Sequence, residues 1–211
     1  VKGKTEPISV ARLVGVSARK QISLAEPNYK LPMVGRATEL DQVRDLLDQT
    51  AAGNGQIVGV QGDAGIGKSR FNAEVIHIAR ETGFNGFGGA AQSFNTTLAY
   101  SVWTGGWRGI FDIDPADTET AQIAALEAKL NAIGPALAAR MPLLSPVLSI
   151  DIPDTPLTSA LDPADRTDLL HNLLLTVLRA QAEENPVLIV LEDTHWIDPS
   201  SRMLLEFIGR N

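Results

Sequence analysis

Cysteine is missing from all 211 residues, which excludes disulfide staples, thiolate metal sites and a cysteine nucleophile. Histidine is scarce, and the three present (His77, His171 and His195) are set far apart, so their spacing does not suit zinc. Basic charge is in deficit. Eighteen Lys and Arg face 25 Asp and Glu, a formal net charge of −7, so no positive field is available to release counterions from nucleic acid. No apolar run approaches the ~20 residues that span a bilayer, and the first residues lack a signal-peptide core. No nucleic-acid partner, no membrane and a cytoplasmic location are the resulting expectations. Aromatic residues make up only 5%, while 44% apolar and 20% charged residues are the mix of an ordinary globular chain.

What is present centres on Gly62, Asp63, Ala64, Gly65, Ile66, Gly67, Lys68 and Ser69, followed by Arg70. This stretch fits G-x-x-x-x-G-K-[ST], the Walker A phosphate loop. The flanks agree with the motif. Ile57–Val60 reads as a short buried strand, and Ser69 to Thr82 as a helix with Phe71, Val75, Ile78 and Ala79 on one face. Polyphosphate needs several N–H donors aimed into one concavity. Glycines allow that approach, and the helix N-terminus adds free amides and the positive end of its dipole. Lys68 is placed to reach the β- and γ-phosphates, and the Ser69 hydroxyl to ligate Mg²⁺.

Residues 1–30 do not read as part of this fold. Val1 to Ala11 suggests a turn and then a strand, and Pro27 to Pro32 a stiff linker. They are either an N-terminal arm on this domain's own edge or the end of a preceding module. Val34-Gly35-Arg36 then leads into a helix with Leu40, Val43, Leu46 and Leu47 inward. Thr38 and Asp41 supply an N-cap arrangement there, and Gly53 to Gly55 a stop. Gly83 to Gln92 is expected to hold a second strand. The aromatics from Phe94 to Phe111 form either a stripe packed on the sheet or a ligand-stacking surface. Residues 112–165 read as a helical insert, with Ile123, Leu126, Leu130 and Ile133 on one face. Arg166 to Glu184 is a strongly amphipathic helix containing His171, which is read as structural or solvent-facing.

Val187 to Leu191 is an unbroken apolar run, as expected of a parallel strand covered on both faces, and it ends in Glu192-Asp193. Acids at the carboxyl edge of such a strand are costly unless a metal or ligand waits there. With the Walker A loop upstream, they are the natural Walker B pair. Asp198 and Pro199 then suit the N-cap and first turn of a last helix.

Taken together, the Val34-Gly35-Arg36…Glu39-Leu40 box, the loop Gly62 to Arg70 and the segment Leu191-Glu192-Asp193-Thr194-His195-Trp196-Ile197-Asp198 resemble the AAA-type ATPase domain of STAND signalling NTPases. The likeness is greatest to the subgroup fused behind class III adenylate/guanylate cyclases. Tyr100 and Trp103 match that subgroup's Tyr-x-x-Trp segment, and the opening ten residues are similar to the tail of a cyclase domain. The resemblance implies a P-loop NTPase, a three-layer α/β/α fold with a mostly parallel sheet. It occupies residues 31–211 behind a tail and linker at 1–30, and its later strands and lid lie beyond Asn211. By the same resemblance Val34, Gly35 and Arg36 lie beside the adenine and ribose. Lys68 and Ser69 hold phosphate and Mg²⁺, Glu192 takes the metal-associated position, and Asp193 orients the attacking water. Glutamate in place of the usual aspartate implies a cation reached through water and slow hydrolysis.

The implied activity is that of an ATP/ADP-binding, Mg²⁺-dependent regulatory ATPase controlling an attached cyclase. It would have further helical, winged-helix or repeat domains downstream and a nucleotide-dependent oligomer. The alternatives are the ATPase module of a helix-turn-helix transcription regulator and a non-hydrolysing nucleotide-binding scaffold.

Overall fold

The computed structural model describes residues 33–211. The strand, tail and linker expected over residues 1–30 lie outside the described residues.

The first helix, α1 (Ala37–Ala51), buries Leu40, Val43 and Leu47, the inward face expected from their spacing. It stops at Gly53, whose φ of +94° is a left-handed turn. Its start differs from expectation. No side chain caps it, and Arg36 occupies the N-cap position. Arg36 instead donates to Glu39 at 2.8 Å, an ion pair across the first turn that replaces the Thr38 cap. Helix α2 (Lys68–Glu81) packs Ile78 and Ala79 against α1 and Phe84, with Phe71 and Val75 at the margin. The two helices share this small apolar cluster, which also reaches Leu188.

Strands β1 (Asn85–Ala90) and β2 (Val187–Glu192) pair in parallel, from Asn85 opposite Val187 to Ala90 opposite Glu192. Ninety-six residues connect the end of β1 to the start of β2, so the crossover carries most of the remaining helices. Helix α3 (Thr104–Ile110) lies on β1, with Gly106 close to the Gly88 backbone and Gly109 against Phe87. Trp103, Trp107 and Phe111 are buried there with tilted ring contacts, which makes the aromatic stripe part of the core. Phe94 lies outside it, exposed on the loop after β1.

Helix α4 (Glu119–Ile133), the short α5 (Ser145–Leu148) and α6 (Pro156–Ser159), and a 3₁₀ segment at Ala138–Leu144 fill the insert. Arg108 of α3 ties two of these pieces, donating to the Leu148 carbonyl at 2.6 Å and to Gln122 Oε1 at 2.8 Å. The long helix α7 (Pro163–Glu184) and the closing α8 (Pro199–Arg210) complete the larger core, in which Leu126, Leu144, Leu148, Leu174 and Leu204 are fully buried. The caps of α4, α7 and α8 are Thr118, Asp162 and Asp198, the last as expected.

The expected buried strand at Ile57–Val60 is not formed. Among the described residues the sheet has two strands, and 57–61 joins neither. Ile57 is 75% exposed and Val58 51%. The apolar β-branched pattern is there, but a strand exists only through its hydrogen-bonded neighbours. No described segment supplies one. The side chain of Ile57 approaches Gly209 at the end of α8, so one end of the stretch is anchored there. The strand β2 is half-buried along its length, whereas cover on both faces was expected.

Candidate functional site

The loop that precedes α2 owes its shape to two positions. Gly65 (φ +80°) and Gly67 (φ +99°) occupy the left-handed region, which costs an L-residue about 1–2 kcal/mol. Gly67 is also the N-cap of α2, with no side-chain cap. The first intrahelical bond runs from the Phe71 amide to the Gly67 carbonyl at 2.9 Å. The amides of Lys68 and Ser69 come before that first bond, and helix-start donors of this kind are what an anion takes. Gly62, Asp63, Ala64, Gly65, Ile66 and Gly67 are all exposed. Lys68 folds back over the loop, its Nζ donating to the carbonyls of Gly62 and Asp63 at 3.0 Å each.

The second half of the site comes from β2. Its last residue, Glu192, accepts a hydrogen bond from Asn72 Nδ2 at 2.9 Å. Asn72 stands three residues after Ser69 in α2, so the two share a helix face and are neighbours. The Glu192 carboxylate is thus tied to α2 at a residue one helical turn along from Ser69. Asp193 follows in the left-handed region at φ 52°, exposed, and its carbonyl accepts the Trp196 amide at 2.9 Å. Aspartate tolerates that conformation better than most residues. It turns the chain sharply away from β2 into the single turn Thr194–Trp196.

Beside the loop lies a cleft of about 330 Å³ between α1, the 58–61 stretch and α2, lined by Arg36, Glu39, Leu46, Val60, Phe71 and Lys68 among others. It is mixed in character, with apolar walls and a charged rim. The Arg36 guanidinium, donating to Glu39, holds that carboxyl below its ordinary range. Of the three box residues only Arg36 lines the cleft. Val34 is 87% exposed and Gly35 turns the chain at φ +81°.

The residues fit Mg²⁺ through oxygen donors. Glu192 is held on α2 one turn along from Ser69, and among the described residues no cluster of three or more His, Cys, Asp or Glu offers a closed protein cage. A cation that keeps several waters and takes few side chains suits that arrangement. Two residues of the site escaped the sequence reading, Asn72 and Phe71 as a cleft wall. The i, i+3 spacing from Ser69 was the available signal for Asn72, but its partner lies 120 residues away.

Behind the site sits a buried polar knot. Asp198 is 1% exposed, accepts the amides of Tyr100 (3.1 Å) and Ser201 (2.9 Å), and also takes the Ser201 hydroxyl. The Tyr100 hydroxyl meets His171 Nε2 at 3.3 Å, and Trp103 Nε1 donates to the Ser201 carbonyl at 3.1 Å. Burial, and secondarily the Asp198 charge, pushes the Tyr100 phenol up; burial pushes His171 down. Asp198 thus joins the turn after Glu192-Asp193 to the loop after β1, a larger role than capping α8. His171 is structural and buried.

Among the described residues no helix is long and apolar enough to cross a membrane. No solved structure matches the chain. It is 30% identical over 217 aligned positions to an uncharacterized protein of Rhizobium meliloti (strain 1021), an alignment covering 97% of this chain and 20% of that protein. The chain therefore spans about a fifth of the length of that relative. The AAA ATPase domain family matches residues 32–211, which contain the loop, the cleft and the Glu192-Asp193 edge. A glycine-shaped helix start facing a strand-end carboxylate is the architecture of an ATPase domain, and the chain belongs to the AAA ATPase domain family.

Proposed function

We propose that this chain is an ATP-binding, slowly hydrolysing, Mg²⁺-dependent regulatory module of a multidomain signalling protein of the STAND type, controlling an attached class III nucleotide cyclase. The observation that carries the nucleotide part is the pairing of the α2 start with Glu192. Loop amides, Lys68 and Ser69 stand on one side, and a carboxylate stands one helical turn away. The cyclase part is supported by the similarity of residues 1–10 to a cyclase tail, and the multidomain part by a relative about five times longer than this chain.

In this reading the amides of Gly65 to Arg70 bind the β- and γ-phosphates. Lys68 exchanges the Gly62 and Asp63 carbonyls for phosphate oxygens, at little cost because both of those bonds are exposed to solvent. Ser69 and Glu192, with Asp193 beside them, hold the cation. When bound, Mg²⁺ would neutralise charge that develops on the phosphoryl oxygens. Asp193 orients the water, Arg36 borders the base at the cleft, and Val34 and Gly35 lead the chain up to it.

Lys68→Ala should weaken ATP binding about ten-fold or more by calorimetry; unchanged affinity would remove the basis of the site. Asp193→Asn should abolish most turnover while binding persists, and equal turnover by both proteins would reject its role.

A further inference from the structure

We propose that Asn72 is a positioning residue for Glu192: its side-chain amide fixes the orientation of that carboxylate and so governs how tightly Mg²⁺ is held beside Ser69. This deepens the ATPase reading and rests on it. Glu192 ends β2, and its carboxylate hangs on two methylenes, one more than an aspartate would have. That extra torsion lets the carboxylate swing, and a swinging ligand loses rotamer entropy each time it engages a cation. The bond from Asn72 Nδ2 to Glu192 Oε1, 2.9 Å long and partly buried, removes that freedom.

The donor's chemistry suits the task. An amide is uncharged, so it orients the carboxylate without placing a competing positive charge at a cation site. It engages one oxygen, leaving Oε2 for the cation or its waters. Asn72 is also fixed in turn, because it belongs to α2, the same rigid helix that carries Lys68 and Ser69. The phosphate side and the carboxylate side are thereby held in one frame through a bond spanning 120 residues of sequence. A partner that orients a ligating carboxylate typically changes metal affinity about ten-fold or more when it is removed.

The experiment is calorimetric titration of ATP into the full chain with excess MgCl₂ and, separately, with EDTA. Wild type, Asn72→Ala, Asn72→Leu and Lys68→Ala are compared. For both Asn72 variants the Mg²⁺ enhancement of affinity should fall by about five-fold or more, while affinity in EDTA stays within about two-fold of wild type. Asn72→Leu keeps the volume at the helix–strand contact, so agreement between the two variants separates loss of the donor from loss of packing. Undiminished enhancement in both overturns the inference and leaves the bond a structural tie between α2 and β2. Lys68→Ala should lose affinity under both conditions. If wild type binds no ATP under either, the ATPase reading fails and this inference fails with it. If wild type binds and only the Asn72 variants behave as wild type, the inference alone is lost.

Discussion

At Gly89 in β1 an added Cβ would fall 1.9 Å from the Val102 carbonyl oxygen. The other atom is backbone, so nothing flexible can give way. Gly89→Ala must push the 100–103 loop off the strand, and should cost about 2 kcal/mol or more, read as a lower urea midpoint at constant slope. A second residue-scale effect concerns His171, 5% exposed between Tyr100 and Phe207. Burial holds its folded-state pKa below the unfolded value of about 6.5. As pH falls through that unfolded value the unfolded chain takes up a proton that the folded chain resists, so stability drops on the acid side. The midpoint should therefore decline as pH goes from about 7 to 5.5, and His171→Phe should flatten that slope. An identical slope in the variant would reject the assignment.

At the scale of elements, the helix starts show what short-range chemistry can settle. Thr118, Asp162 and Asp198 each accept the amide three residues on, Asp198 as expected, because a cap is decided within four residues. The start of α1 departs from this pattern, since Arg36 and Glu39 pair across the turn and leave Thr38 without a capping role. Asp198 does more than cap. It also fixes Tyr100, and Tyr100 itself holds a strained φ of 59°. Asp198→Ala should cost about 2–3 kcal/mol by denaturant unfolding, and Asp198→Asn distinctly less. A loss under about 0.5 kcal/mol for Asp198→Ala would mean that the knot carries no stability.

On the scale of the whole molecule, the 57–61 stretch is where composition and architecture part. Its residues suit a buried strand, but among the described residues no ladder partner reaches it. In this chain its amides should exchange with solvent much faster than those of 187–192, which β1 protects. Equal protection in a hydrogen-exchange experiment would show that 57–61 is paired. Much of the site was legible beforehand. Gly65, Gly67, Lys68 and Ser69 form a self-contained device whose left-handed turns and helix start depend on neighbours in sequence. The run 187–191 likewise announces a parallel strand by its unbroken apolar character. Long-range matters were not legible: that β2 pairs with β1, that Asn72 reaches Glu192, and that Asp198 receives the Tyr100 amide from 98 residues away. Backbone sterics and capping act over a few residues and are written in the local sequence. Pairings across about a hundred residues depend on which surfaces the packed core leaves facing each other, and only the folded chain decides that.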